Sequence, residues 1–256
     1  MHHLTDDYEL KLADTPAEKA AAERLRWQVF VEEMGAKSSS TTPGRESDHF
    51  DAYADHLILK DRNNGREGHN VVGVYRLLRG DVAQAHNGFY SASEYDLTPL
   101  MAAGRPMLEL GRSCIAEGHR GGKALRLLWI GLSEYVSTHG VELLFGVASF
   151  PGTDPEPFTQ AMAYLGRGHR AQHALRAKAR GADAIPLDRL GDAPLDPIAA
   201  VRSIPPLLKS YLRIGGKVGD GAYIDHDFNT IDVFLVMDTA AMATMRSVTA
   251  PTRRAA

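Results

Sequence analysis

The 256-residue sequence holds a single cysteine, Cys114, so an internal disulfide and any metal site built from several cysteines are excluded. It has little net charge: 29 Lys and Arg against 32 Asp and Glu give −3, which leaves no bulk positive field for a nucleic acid. An electrostatic partner must therefore be met by a local patch. No apolar run approaches the roughly 20 residues of a membrane-spanning helix; residues 125–132, the richest stretch, are few and interrupted. Residues 1–7 lack a basic-then-apolar signal pattern, and a cytoplasmic protein is expected, any contact with the inner membrane being peripheral. Three catalytic signatures are also missing. The turn after residue 119 lacks the spacing of a nucleotide P-loop, His169 and His173 lack the glutamate of a zinc-protease helix, and Ser149 lacks the following glycine of a hydrolase elbow. No metal site is expected. What is present is 44% hydrophobic and 24% charged residues, enough for a buried core.

Alternation of apolar and polar residues predicts strands over residues 8–12, 53–59, 71–78, 107–115, 141–147, 223–228 and 232–237. Asn63-Asn64-Gly65 marks a hairpin between the second and third, and Asn229-Thr230 one between the last two. Thr15-Pro16 reads as a cap and first turn of a helix with an apolar stripe over residues 17–34, ended by Gly35. Further helices are expected over 125–135, from 157 to about 180, and over 205–212. Strands alternating with helices in this order predict one α/β domain, a mixed sheet flanked by helices, over residues 5–247, with a disordered tail at 248–256.

Glu109-Leu110-Gly111-Arg112 leads into His119-Arg120-Gly121-Gly122-Lys123-Ala124 and then a helix. A strand, a Gly-rich basic turn and a helix N-terminus form an anion site, because free amide groups and the helix dipole point at a phosphate there. Residues 167–180 carry Arg167, Arg170, Arg176, Lys178 and Arg180 with no acidic residue, a patch suited to an acidic protein or anionic lipid headgroups. Cys114 reads as a buried thiol.

This strand and turn resemble those of the GNAT superfamily of N-acyltransferases, where they hold the pantetheine and phosphates of the acyl donor. Arg120-Gly121-Gly122-Lys123-Ala124 only approximates the usual Arg/Gln-x-x-Gly-x-Gly/Ala turn, a departure that suits a carrier protein's single phosphodiester better than the pyrophosphate of coenzyme A. A closer resemblance covers nearly the whole chain. Arg26-Trp27-Gln28-Val29-Phe30, Glu46-Ser47-Asp48-His49-Phe50-Asp51, Tyr75-Arg76, Phe145-Gly146-Val147-Ala148-Ser149, Pro205-Pro206-Leu207-Leu208 and Asp225-His226-Asp227-Phe228-Asn229-Thr230-Ile231-Asp232 are similar to the ornithine N-acyltransferases of ornithine lipid biosynthesis. The resemblance implies transfer of a 3-hydroxyacyl group from acyl carrier protein to the α-amine of L-ornithine, giving lyso-ornithine lipid. No resident cofactor is implied; the carrier's phosphopantetheine arrives as part of the donor.

Roles follow from that chemistry. Glu109 is the candidate base, since an ammonium must lose a proton before attack. Regular alternation would put Arg112 on the opposite face, so a β-bulge near Gly111 is expected, re-aiming Arg112 and freeing a backbone N–H for the oxyanion. Arg76 and Arg112 would take the acceptor carboxylate, and Glu46, Asp48 and Asp51 its distal ammonium. Tyr164 is the candidate acid for the leaving thiol; Arg120, Gly121, Gly122 and Lys123 would hold the donor phosphate. Two other readings are an acyl-homoserine-lactone synthase, whose acceptor is S-adenosylmethionine, and a non-catalytic acyl- or carrier-protein-binding module.

Overall fold

The computed structural model describes residues 1–64, 70–120 and 122–242. The chain opens with β1 (His2–Leu4) and β2 (Tyr8–Leu12), then α1 (Pro16–Arg26), β3 (Asp55–Asp61) and β4 (Val71–Arg79). Next come α2 (Gly80–Ala85), β5 (Tyr95–Asp96), α3 (Thr98–Ala102), β6 (Met107–Ile115) and α4 (Lys123–Thr138). The order continues through β7 (Leu143–Pro151), α5 (Thr159–Gly168), β8 (Lys178–Ala179), β9 (Ala184–Ile185), α6 (Pro197–Ser203) and α7 (Pro206–Arg213). It closes with the hairpin β10 (Lys217–Asp225) and β11 (Thr230–Asp238). One mixed sheet results, in the order β1-β2-β3-β4-β6-β7-β11-β10-β8-β5, with β9 paired to β10. Two ladders, β6 with β7 and β8 with β10, are parallel.

Helices cover both faces, as the burial of β4 requires: every residue of it but Arg79, Arg76 included, is buried. One face receives Leu128 and Leu132 of α4, Leu165 of α5 and Leu208 of α7; each such leucine contributes about 1.5–3 kcal/mol by leaving water. Gly131 lets α4 close on the sheet, because a Cβ there would lie 2.8 Å from Leu10 Cδ2. The other face receives Ala21, Ala22, Leu25 and Val29 against Ile58, Val74 and Cys114. Thr15 caps α1 by accepting the Glu18 N–H at 3.2 Å, with Pro16 in the first turn.

The expected helix over 17–34 is present but changes form midway: after Arg26 it continues as a π-helical segment, Trp27–Glu33. The sheet begins before the expected boundary at residue 5, since His2–Leu4 pairs with Glu9–Lys11. Asp55–Asp61 and Val71–Arg79 do pair antiparallel, but nine residues separate them, and Gly65 of the expected turn lies outside the described residues, as does the tail expected to be disordered. Helix does not persist to residue 180: α5 stops at Gly168, and the following chain makes a 3-10 turn, His173–Leu175, and β8. An unbroken cationic helix face is therefore absent from the described residues there.

Candidate active site

Parallel pairing between β6 and β7 stops at Glu109 and Phe145. Beyond that point Gly111–Ile115 of β6 and Val147–Ser149 of β7 line opposite walls of a cavity of about 640 Å³. Gly146 permits the parting point, because a Cβ there would meet Leu110 O at 2.2 Å. Val29, Phe30 and Glu33 of the π-helical segment, a form of helix often found at functional sites, and Met34 just after it roof the cavity. Leu207, Leu208 and Tyr211 of α7 close another side.

The expected bulge is in β6. Val74 pairs with Cys114 and Arg76 with Gly111, so Tyr75 alone faces Arg112 and Ser113. Arg112 takes φ 51°, a left-handed conformation that costs a non-glycine residue about 1–3 kcal/mol and persists where surroundings fix it. Here they do. Its guanidinium lies 4.5 Å from the Tyr90 ring centroid and 4.2 Å from that of Phe228. Its Nε donates to Glu46 at 3.0 Å and its Nη2 to Asp48 at 2.9 Å.

Those bonds belong to a closed ring of alternating charge. Asp48 also accepts from Arg76 at 2.6 Å, Arg76 lies 3.6 Å from Asp51, and Asp51 takes both Nη atoms of Arg26 at 2.7 and 2.8 Å. Arg26, wholly buried, closes the ring on Glu46 at 2.7 Å. Three guanidinium groups thus meet three carboxylates. Burial pushes the Asp51 carboxyl up, but its arginine partners outweigh this and hold it well below the usual range. His56, 3.6 Å from Asp51, is driven down to about 4, chiefly by burial, and is neutral at pH 7. Glu46, Asp48, Asp51 and Arg76 therefore do not line the cavity, and their charges already have partners. This corrects the expectation that they contact the acceptor: their place is behind Arg112, which does line it.

Glu109 reaches the cavity from the parting point. Its carboxylate accepts the Tyr90 and Ser91 N–H groups at 2.9 and 2.7 Å and the Ser91 hydroxyl at 2.5 Å, at the start of a 3-10 turn, Tyr90–Ser93. Burial raises its pKa despite those bonds. Cys114 also lines the cavity, but burial pushes its thiol far up and no thiolate forms at neutral pH. Tyr164 packs beside the core and His169, away from the cavity lining. Tyr75, Tyr90 and Tyr211 do line it, and the hydroxyls of Tyr75 and Tyr211 are 2.9 Å apart. Burial raises the pKa of Tyr75 and of Tyr211, so each stays a proton donor.

At the far end, Arg120 and Gly122 line the mouth. Gly122, with φ 89°, precedes α4 and no side chain caps that helix, which leaves its first amide groups open to an anion. Arg120 pairs with Glu33, and Lys123 with Asp7; Gly121 is outside the described residues. The patch residues stand apart from the cavity. Arg167 is held by Asp188 at 2.6 Å and Arg170 lies 3.4 Å from Asp220, while Arg176 half-buries and donates to Ala171 O. Lys178 and Arg180 are exposed.

One constellation went unread in the sequence. Carboxylate oxygens of Glu94, Asp225 and Asp232 lie within 4.8 Å of one another, a spacing that admits a cation. Asp232 reaches the cavity beside Ser149 and Thr230. Its carboxyl is raised to about 6 by burial, with Asp225 adding, and Glu94 is raised well above the usual range for the same reasons.

Two strands parting around a groove, with an open helix N-terminus at one end and a buried carboxylate at the other, define an acyltransferase of the GNAT class. Residues 25–130 match the acetyltransferase (GNAT) domain family. The L-ornithine N(alpha)-acyltransferase of Rhodobacter capsulatus is 47% identical over 92% of this chain and 92% of its own. That of Rhizobium meliloti is 39% identical over 90% and 79%. The chain belongs to the L-ornithine N(alpha)-acyltransferase family and is an enzyme. Among solved structures, the acyl-homoserine-lactone synthase LasI is similar over 93% of this chain and 95% of its own, with a TM-score of 0.50. At 14% identity that likeness is one of fold.

Proposed function

We propose that the chain transfers a 3-hydroxyacyl group from acyl carrier protein to the α-amine of L-ornithine, releasing lyso-ornithine lipid and free carrier protein. The observation that carries the reading is the continuous cavity from Arg120 and Gly122 to Glu109 and Arg112. A pantetheine arm entering at the α4 N-terminus lays its phosphodiester on the open amide groups and its chain between β6 and β7. Its thioester then stands near the bulge.

Glu109, through a water, takes a proton from the ornithine α-ammonium. The amine lone pair attacks the thioester carbonyl carbon, and the oxyanion is met by a backbone N–H that the bulge leaves out of the ladder. Collapse breaks the C–S bond as the nitrogen gives up its second proton, which the Tyr75–Tyr211 hydroxyl pair relays to the departing sulfur, leaving both tyrosines protonated. Cys114 takes no part, so transfer is direct. Arg176, Lys178 and Arg180 offer an acidic carrier protein a landing surface, with anionic headgroups as a second use of the same charge.

Mass spectrometry of the product from purified protein, long-chain 3-hydroxyacyl carrier protein and a mixture of amino acids tests the reading. Nα-acylornithine is expected. Methylthioadenosine release with S-adenosylmethionine, or acylation of another amino acid only, would contradict it.

A further inference from the structure

We infer that Glu94, Asp225 and Asp232 form the subsite for a primary alkylammonium, the side-chain amine of the diamino-acid acceptor; this rests on the reading that ornithine is that acceptor. The three carboxylates converge within 4.8 Å. Glu94 and Asp232 are 2% and 3% exposed, yet Glu94 Oε2 and Asp232 Oδ1 have no hydrogen-bond donor among the described residues. A buried carboxylate oxygen without a donor is costly to leave so, and here two lie on neighbouring acids beside a third, with Asp232 lining the cavity. Asp225 is partly engaged: its Oδ1 accepts the Asp227 and Phe228 N–H groups, which fixes the turn, while Tyr90 donates to its Oδ2 at 3.4 Å.

The cation's chemistry follows from the donor count. An ammonium carries three N–H groups and matches one oxygen from each of three carboxylates. A calcium or magnesium ion asks for six or more oxygens, so three acids offering one each would leave half its shell to water. Arg112 does not serve, since its guanidinium is bonded to Glu46 and Asp48. The placement suits the acceptor. Tyr90 gives its backbone N–H to Glu109 and its hydroxyl to Asp225, so the base and the triad stand one tyrosine length apart. A short diamino acid with its α-nitrogen at Glu109 extends its other nitrogen to Asp232.

The test compares ornithine with norvaline, the same carbon chain without the side-chain amine, using carrier-protein donor and the full chain. Wild type is expected to favour ornithine. Asp232→Asn should cut that preference roughly tenfold or more by raising the ornithine KM, with norvaline turnover and donor KM unchanged. Glu94→Gln supplies a second position and the same direction. Folding is read separately, and Asp232→Asn should melt higher without acceptor because an unpaired buried charge is gone. A folded variant with the wild-type preference overturns the assignment, as does a wild type indifferent between the two amino acids. Turnover lost to EDTA and restored by a divalent ion would place a metal there and overturn it too. A wild type that leaves ornithine unacylated removes the underlying reading, and the inference with it, a result distinct from any of these.

Discussion

Glu109 sits under two opposed influences: burial favours its neutral form, while three donors at the start of the Tyr90–Ser93 turn favour the carboxylate. Burial is the stronger, so the base form is lost as pH falls through a value above the ordinary 4.5, and the acid limb of kcat/KM should lie above 4.5. Glu109→Gln should lower kcat by about 10²–10⁴ with donor affinity kept, checked by single-turnover rates and direct binding. Asp232 runs its linkage in the opposite sense to a paired acid. Its folded pKa of about 6 exceeds the ordinary 3.8, so the folded state binds the extra proton between those values, and stability from this group falls as pH rises through that window. The melting-temperature gain of Asp232→Asn should be full above pH 6 and vanish as pH approaches 3.8. In the ring, Arg26→Met should cost about 3–5 kcal/mol in urea unfolding, because two buried carboxylates each lose one of their two arginine partners. Of the ring's six residues, Arg26, Asp51 and Arg76 stand out in the sequence as charges between apolar neighbours, but pairs such as Arg26 with Asp51 and Arg112 with Glu46 join distant segments. Nothing local shows that these acids face arginines and not substrate.

Among the elements, β6 was the most legible: its bounds at 107 and 115 follow from alternation, and its bulge from needing Glu109 and Arg112 on one site. Residues 80–106 gave no reading, since Gly80, Gly88, Pro99, Gly104 and Pro106 break any period. That silent segment carries Tyr90, Ser91 and Glu94, which orient Glu109 and complete the acidic triad. Tyr211 was missed for another reason. Its helix was legible, but which of its side chains meets Tyr75 depends on how α7 packs over β4. The parting of β6 from β7 supplies the element-scale prediction. Gly146→Ala drives a methyl against the Leu110 carbonyl, and a clash of this kind costs about 1–3 kcal/mol or more. Reduced stability together with a raised donor KM is expected, and a wild-type donor KM in the folded variant would show that the groove does not open there.

At the scale of the molecule, an acidic carrier, the donor in the proposed reaction, would have to meet positive charge locally on a chain of net charge −3. Arg176 and Lys178, off the cavity and half-buried or exposed, offer it without touching the chemistry. Reversing both to glutamate should raise the KM for acyl carrier protein at low salt, an effect that fades as salt screens it. The KM for a short pantetheine thioester should stay as it was; equal effects on both donors would make the patch part of the groove. Among the described residues no helix is long and apolar enough to cross a membrane. On the proposed reading the cavity walls of Val29, Leu125, Val147 and Leu207 offer the acyl chain an apolar surface. The proposed reaction thus requires arm, acyl chain and carboxylate to converge on one groove. A crystal structure with a stable 3-hydroxyacyl pantetheine amide tests this most directly. Its arm should lie between β6 and β7, phosphate at the α4 N-terminus and amide carbonyl beside the Arg112 bulge within reach of Glu109; an arm bound elsewhere, with β6 and β7 enclosing nothing, would contradict it.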